Sequence, residues 1–172
     1  PRSTAIVVGV AAFFFVNPSE LARFGGLDLA VRLAGAFLFT WGISTANYIV
    51  NEIADAPFDV HHPTKSRRPL ASGEVRRGPL LVWAAAIGGL SLGLAWLLFS
   101  PPFFYSLLGL LAAGFAYNVK PIRTKDIPFL DSVSESVNNP LRFCIGWFAL
   151  AAGGFPPWSL LVLGVLLGAV LF

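Results

Sequence analysis

Residues 51–73 read NEIADAPFDVHHPTKSRRPLASG, and the reading of the whole chain turns on them. Asn51, Asp55 and Asp59 recur at every fourth position, after which the sequence becomes basic at Lys65, Arg67 and Arg68. On an α-helix a step of four residues turns about 40° beyond a full circle, so residues spaced this way share a face. The apolar run leading into the stretch already carries polar groups at Thr40, Ser44, Thr45 and Asn47. Charges beside hydrocarbon are costly unless paired, hydrated or bound to a metal, so a polar face that sharpens into carboxylates needs a reason.

Composition sets the surroundings of that face. The 172-residue chain is 56% hydrophobic and 12% charged, where a soluble domain carries roughly 25% charged residues. Its apolar residues gather in six segments, about 4–16, 29–53, 79–99, 103–117, 130–152 and 158–172. Their lengths scatter around the roughly 20 residues that a membrane-crossing helix needs. The expected fold class is all-α, a polytopic transmembrane helical bundle forming a single domain over residues 1–172. The net charge of +3 would by itself admit nucleic acid as a partner, but five of the twelve Lys and Arg residues lie in the loop 54–78 and three in the loop 118–128. Basic loops mark the cytoplasmic side, so membrane lipids rather than nucleic acid are the expected surroundings. This makes an integral protein of the cell (inner) membrane with its functional face toward the cytoplasm. The lone Cys144 excludes an intrachain disulfide.

The chain opens on Pro1, contains no Met and reaches Phe172 inside an apolar run, which leads us to expect a truncated piece of a longer protein. No cleavable signal peptide is evident, because the first apolar run ends at Asn17-Pro18 instead of a small-residue cleavage site. In the second segment Arg32 is placed to snorkel to the outer interface. Pro57 lacks an N–H and is expected to end the helix near Ala56, leaving Asp59 on a turn. In the third segment Gly89 and Gly93 offer a small-residue face for close helix packing. The fifth segment opens with DSVSESVNNPLR at residues 131–142, where Asp131, Glu135 and Asn139 again stand four apart. Acids at a helix N-terminus are ordinary, since the dipole favours them. Arg142 is different: an arginine this far into a span is a functional candidate, paired with Glu135 or touching a substrate head group.

Asn51, Asp55 and Asp59 offer oxygen ligands only, a donor set that suits Mg2+ rather than zinc. Mg2+ held by few carboxylates keeps waters and takes further ligands from phosphate. The basic residues complete that logic, with Arg67 and Arg68 following the acids and Lys120, Arg123 and Lys125 in the second basic loop. Acids with this many bases point to a metal-bridged diphosphate, although cytoplasmic Lys and Arg are also expected from topology alone. His61 and His62 read as loop residues beside such oxygen chemistry. Phe37, Trp41, Tyr48 and Tyr117 are aromatic residues whose ring faces can stabilise a cation.

The string N-x-x-x-D-x-x-x-D, a basic loop and R-P-L-A-S-G, here Asn51, Asp55, Asp59 and Arg68 to Gly73, resembles the first signature of the UbiA superfamily of intramembrane prenyltransferases. Asn47, Asn51 and Asp55 share the same spacing, but the family's distance from the last aspartate to the Ser-Gly pair matches Asp59. Tyr117, Asn118, Lys120, Pro121, Arg123 and Lys125 are similar to the family's Y-S-x-P-P-x-R-x-K segment, with Asn118 at the usual serine and Lys120 where one proline often stands. The resemblance implies a bundle of about nine spans, of which this chain holds about the first six. It also implies a Mg2+ site built on Asn51, Asp55 and Asp59, and a diphosphate clamp drawn from Arg67, Arg68, Tyr117, Asn118, Lys120, Arg123 and Lys125. Asp131, Glu135, Asn139 and Arg142 form a further polar cluster beside them. The implied reaction moves a prenyl group from a polyprenyl diphosphate to an aromatic or lipid acceptor of quinone, chlorophyll or carotenoid type. A second acidic motif is implied beyond Phe172, so this piece alone is expected to be inactive.

Two competitors stand against that reading. A small ion-coupled transporter places its acids near the middle of spans and breaks matching helices, whereas here they cluster at segment ends. A phosphatidyl-alcohol transferase opens its motif with D-G-x-x-A-R, which the chain lacks.

Overall fold

The computed structural model describes residues 4–151 and 153–171. Six α-helices follow one another: α1 Thr4–Val16, α2 Gly26–Asp59, α3 Arg77–Leu98, α4 Pro101–Asn118, α5 Leu130–Phe148 and α6 Trp158–Leu171, with no strand among the described residues. Pro1, Arg2 and Phe172, on which the expectations about the chain's ends rest, lie outside them, as does Ala152 in the expected fifth segment.

Helix α5 is the hub, packed against α1, α4 and α6, while α2 packs against α3 and α4. Their shared core holds Ile6, Ile43, Phe103, Leu107, Leu110 and Ile145, all fully buried. Aromatic rings interlock at two places. Phe13 meets Trp147 edge to face at 5.4 Å, and Phe99 stacks on Phe103 at 4.1 Å. Glycine lets α1 and α5 touch backbone to backbone: a Cβ added at Gly146 would lie 2.1 Å from the Ile6 carbonyl oxygen, and one at Gly9 would lie 2.1 Å from that of Phe143.

Three local expectations are corrected. Helix α2 does not stop at Ala56 but runs through Pro57 to Asp59, so Asp59 ends the helix instead of standing on a turn. Pro57 gives up its N–H bond and crowds the Ile53 carbonyl, but only two residues of helix follow it. The turn beyond it is closed by Val60 N donating to Ala56 O at 3.4 Å and His62 N to Asp59 O at 3.0 Å. The small-residue packing face is not Gly89 and Gly93, which meet open space. Instead Gly42 of α2 admits Ser91 of α3, whose hydroxyl lies 2.1 Å from where a Cβ would be. Helix α5 ends at Phe148, short of the expected 152. Beyond it the chain is held by Trp147 Nε1 donating to Gly154 O at 3.0 Å and by Ser100 Oγ donating to Phe148 O and Ala151 O, both at 3.3 Å.

The outer surface is apolar. Trp41, Val82, Trp83, Trp96 and Leu97 are each more than half exposed. Large apolar side chains exposed in such number belong against lipid rather than water. Helices α2 and α3 are long and apolar enough to cross a membrane, and α1 is apolar but shorter. Arg32 stands at the opposite end of α2 from the acids, bonded to both Asp28 oxygens at 3.0 Å and to Ala149 O at 3.4 Å.

The backbone contact at Gly146 leaves no room for a methyl group. Gly146→Ala is expected to destabilise the full-length protein by about 1–3 kcal/mol, and Gly93→Ala to leave stability unchanged. Thermal unfolding in detergent compares the two, and equal melting of both variants would contradict the packing described.

Candidate active site

The last two turns of α2 carry Asn51, Glu52, Asp55 and Asp59, and the segment between α4 and α5, residues 119–129, folds back over them. At this end of a helix the unpaired carbonyls already concentrate partial negative charge, so acids here demand cations nearby. The segment supplies them. Arg123 sits in the left-handed region at φ 32°, ψ 62°, a conformation costing a non-glycine residue of order 1–3 kcal/mol. Its side-chain bonds hold it there. Nη2 donates to Asp55 Oδ1 at 3.0 Å, Nη1 to Ala54 O and Asn118 O at 3.3 Å each, and Nε to Asp126 Oδ2 at 2.7 Å. The guanidinium also lies 4.7 Å from the Phe58 ring centroid.

Two residues on, the short 3-10 turn Thr124–Asp126 delivers Lys125. Its Nζ donates to Asp55 Oδ1 at 2.5 Å, Asn51 Oδ1 at 2.8 Å and Asn118 Oδ1 at 3.2 Å. An ammonium has three N–H groups, and each meets an oxygen. Asn118 is buried at the end of α4 and is itself positioned by donating Nδ2 to Gly114 O at 2.9 Å.

Asp59 is drawn elsewhere. Arg68 Nη1 bridges it at 3.0 Å and Glu52 at 3.1 Å, forming a second charged knot beside the first. Arg67 is exposed on its 3-10 turn, and Lys120 is exposed with Nζ 5.6 Å from the Phe58 ring centroid. His62 stays in the loop, its Nδ1 accepting from the amides of Thr64 and Lys65 at 3.3 Å.

Behind the Lys125 cage a cavity of about 390 Å³ enters the bundle between α2, α4 and α5. It is lined by Ser44, Asn47, Tyr48 and Asn51 of α2, Leu110, Gly114, Tyr117 and Asn118 of α4, and Glu135, Asn138 and Arg142 of α5. Asn51 and Asn118 thus serve both the cage and the cavity wall. Arg142 is buried, and Tyr117 Oη donates to Asp131 Oδ1 at 2.7 Å. Gly114 admits Asn47, which donates Nδ2 to Leu110 O at 3.0 Å.

The predicted residues therefore fall into groups. Asn51, Asp55, Asn118, Arg123 and Lys125 converge, whereas Asp59 and Arg68 pair separately and Arg67 and Lys120 stay at the surface. On α5 the cavity face is Glu135, Asn138 and Arg142, and Asn139 is not on it. On a helix, steps of three and seven fall about 60° and about 20° to one side of the starting residue, whereas a step of four falls about 40° to the other. Sequence reasoning passed over Glu52, whose only signal was its place beside Asn51, and Phe58, which carries no polar group to mark it. Among the described residues no group of three His, Cys, Asp or Glu is arranged to hold a metal. The hard-cation donor set present is the oxygens of Asn51, Asp55 and Asn118 around an ammonium.

The chain is a membrane-type helical bundle with a charged mouth over a polar cavity, and known proteins share its fold. The model of the UbiA prenyltransferase family matches residues 5–172. The chain is 32% identical over 166 residues to a lycopene elongase/hydratase of Haloarcula japonica, covering 96% of this chain and 52% of that protein. It is 31% identical over 170 residues to the C(50) beta-cyclic carotenoids biosynthesis protein LbtBC of a Dietzia species, covering 88% of this chain and 36% of that protein. A UbiA homologue from Archaeoglobus fulgidus, solved bound to DMAPP and Mg2+, superposes with a TM-score of 0.71 at 22% identity, covering 99% of this chain and 61% of that one. The chain belongs to the UbiA prenyltransferase family. It spans between a third and about half of the length of these two curated relatives.

Arg123 faces protein groups on every side, so its loss should be felt first in stability. Arg123→Ala is expected to cost about 1–3 kcal/mol by taking the donor from the Ala54 and Asn118 carbonyls and leaving Asp55 with Lys125 alone. Unfolding in detergent, with limited proteolysis of residues 119–129, measures this. Unchanged melting and cleavage would contradict the stapling role.

Proposed function

We propose that this chain forms the diphosphate-binding mouth and part of the acceptor cavity of a membrane prenyltransferase, one that moves an isoprenoid from its diphosphate to a lipid or aromatic acceptor. The observation that carries the reading is the convergence of Asn51, Asp55 and Asn118 oxygens with Arg123 and Lys125 at the mouth of a polar cavity inside an apolar bundle. The Archaeoglobus homologue held DMAPP and Mg2+, and the Haloarcula and Dietzia relatives are named for carotenoid chemistry, which favours a carotenoid-type acceptor within the wider range. The positive-inside rule puts this mouth on the cytoplasmic side of the cell membrane.

The donor set fits Mg2+, with Asn51 and Asp55 as its protein ligands, Asn118 beside them and Asp59 one turn further on. Mg2+ bound there would neutralise charge developing on the departing diphosphate. The chain's own residues do the rest. Lys125, Arg68, Lys120 and Arg67 offer positive charge to the diphosphate oxygens, stabilising the separated charge more than the intact ester. The apolar bundle around the cavity would limit water at the allylic cation left behind, and Tyr48 and Tyr117 in the cavity lining supply aromatic rings near it. The polar face of Ser44, Asn47 and Asn138 can orient an acceptor. The transporter alternative has no comparable support, because the acids gather at helix ends.

Full-length protein supplied with Mg2+ and geranylgeranyl diphosphate or a longer homologue is expected to release diphosphate in the presence of acceptor. Asp55→Asn is expected to lower that turnover by about 10²-fold or more. Unchanged turnover in this variant would remove Asp55 from the reaction.

A further inference from the structure

Lys125 stands where the proposed metal would stand. Its ammonium is held by one carboxylate oxygen and two amide oxygens, contributed by α2 and α4 at 2.5, 2.8 and 3.2 Å. The Lys125 and Asp55 side chains are only 13% and 20% exposed, so water does not readily replace either partner. Resting on the function proposed above, we infer that Lys125 is a built-in surrogate for the metal: it fills the Asn51, Asp55 and Asn118 cage until a diphosphate draws it away, so metal and diphosphate enter together.

Charge and size support the exchange. Asp55 is matched by Arg123 and Lys125, and Asp126 shares Arg123, so the cluster is charge-balanced and offers no unpaired carboxylate to a divalent ion arriving alone. An ammonium and a metal ion cannot share the cage, because Mg2+ needs oxygens at about 2.0–2.1 Å. An arriving diphosphate brings several negative charges and offers the ammonium an equally strong partner. Lys125 can follow it because its four-carbon stem turns freely. Arg123 cannot, since Nε and both terminal nitrogens are bound to four protein groups. When Lys125 leaves, Arg123 therefore remains on Asp55, and the carboxylate is never stranded. The two basic residues divide the work, one fixed and one exchangeable, which a sequence pattern of alternating bases does not distinguish.

A purely structural ion pair makes the opposite prediction from a surrogate. Removing a structural lysine should loosen the cage and weaken metal binding, while removing a competitor should strengthen it. The test uses the full-length protein in detergent, with Mn2+ followed by its electron paramagnetic resonance signal, alone and with a non-hydrolysable geranylgeranyl thiodiphosphate. Wild-type protein should bind Mn2+ weakly alone and much more tightly with the thiodiphosphate. Lys125→Met should bind Mn2+ alone about tenfold more tightly, the order expected for loss of one close competing charge, and should lose most of the dependence on thiodiphosphate. Lys125→Gln, which keeps a hydrogen-bond donor, should move in the same direction and decides the question if the Met variant does not fold. The gain must vanish when Asp55→Asn is added. Lysine variants that bind Mn2+ alone no more tightly than wild type overturn the surrogate role while leaving the metal site itself standing. If Asp55→Asn alone leaves Mn2+ binding with thiodiphosphate untouched, the underlying metal-site reading fails instead.

Discussion

Asp55 Oδ1 accepts from Arg123 and from Lys125 at once, and the charged end of the bundle is arranged around that shared atom. Its carboxylate lies near the C-terminal end of a 34-residue helix, where the helix carbonyls add to its negative charge. Left alone, it would be expelled toward water or neutralised. The loop from α4 to α5 answers by folding back over α2, and the left-handed backbone at Arg123 is sustained by the bonds its side chain makes. The same pull explains why α2 continues past Pro57. Arg68 anchors Asp59 and Glu52, and Arg123 takes the Ala54 carbonyl, so the final turn is held from outside as well as by its own ladder.

Much of this was legible in the sequence. The spacing of Asn51, Asp55 and Asp59, the two basic loops and the apolar runs contain the helical class and the end of the bundle that carries charge. What spacing does not contain is partnership. Four-residue periodicity treats Asp55 and Asp59 as equivalent, yet one meets the α4–α5 loop and the other meets Arg68. It treats Arg123 and Lys125 as equivalent bases too, although the fork of one is spent on protein groups while the ammonium of the other sits among three oxygens. The helix-breaking rule for proline failed at Pro57 because tertiary contacts held the last turn. The Gly89 and Gly93 pattern was real in sequence, but those glycines lie on a face without neighbours, and close packing fell to Gly9, Gly42 and Gly146.

Polarity is graded along the bundle in a way that suits a substrate with a charged head and an oily tail. Around the aromatic and aliphatic core near Phe99 and Phe103 nothing polar is needed. Toward the acids, Ser44, Asn47, Asn51, Asn118 and Asn138 line one continuous cavity with Glu135 and Arg142. Neutral amides dominate that wall, and amides can orient a ligand without the desolvation cost that fixed charges would impose. Most of the charge gathers at the mouth, where Arg68, Arg123 and Lys125 each have a carboxylate within hydrogen-bond reach. The gradient suits the substrate proposed above, since a prenyl diphosphate carries its charge at one end.

The most direct measurement is a structure of the full-length protein with Mn2+ and a non-hydrolysable prenyl thiodiphosphate, using anomalous scattering to locate the metal. The account predicts metal density beside Asn51 and Asp55, with Arg123 still on Asp55 and Lys125 moved onto the diphosphate. Lys125 still seated among the oxygens of Asn51, Asp55 and Asn118, with metal and diphosphate bound elsewhere, would contradict it.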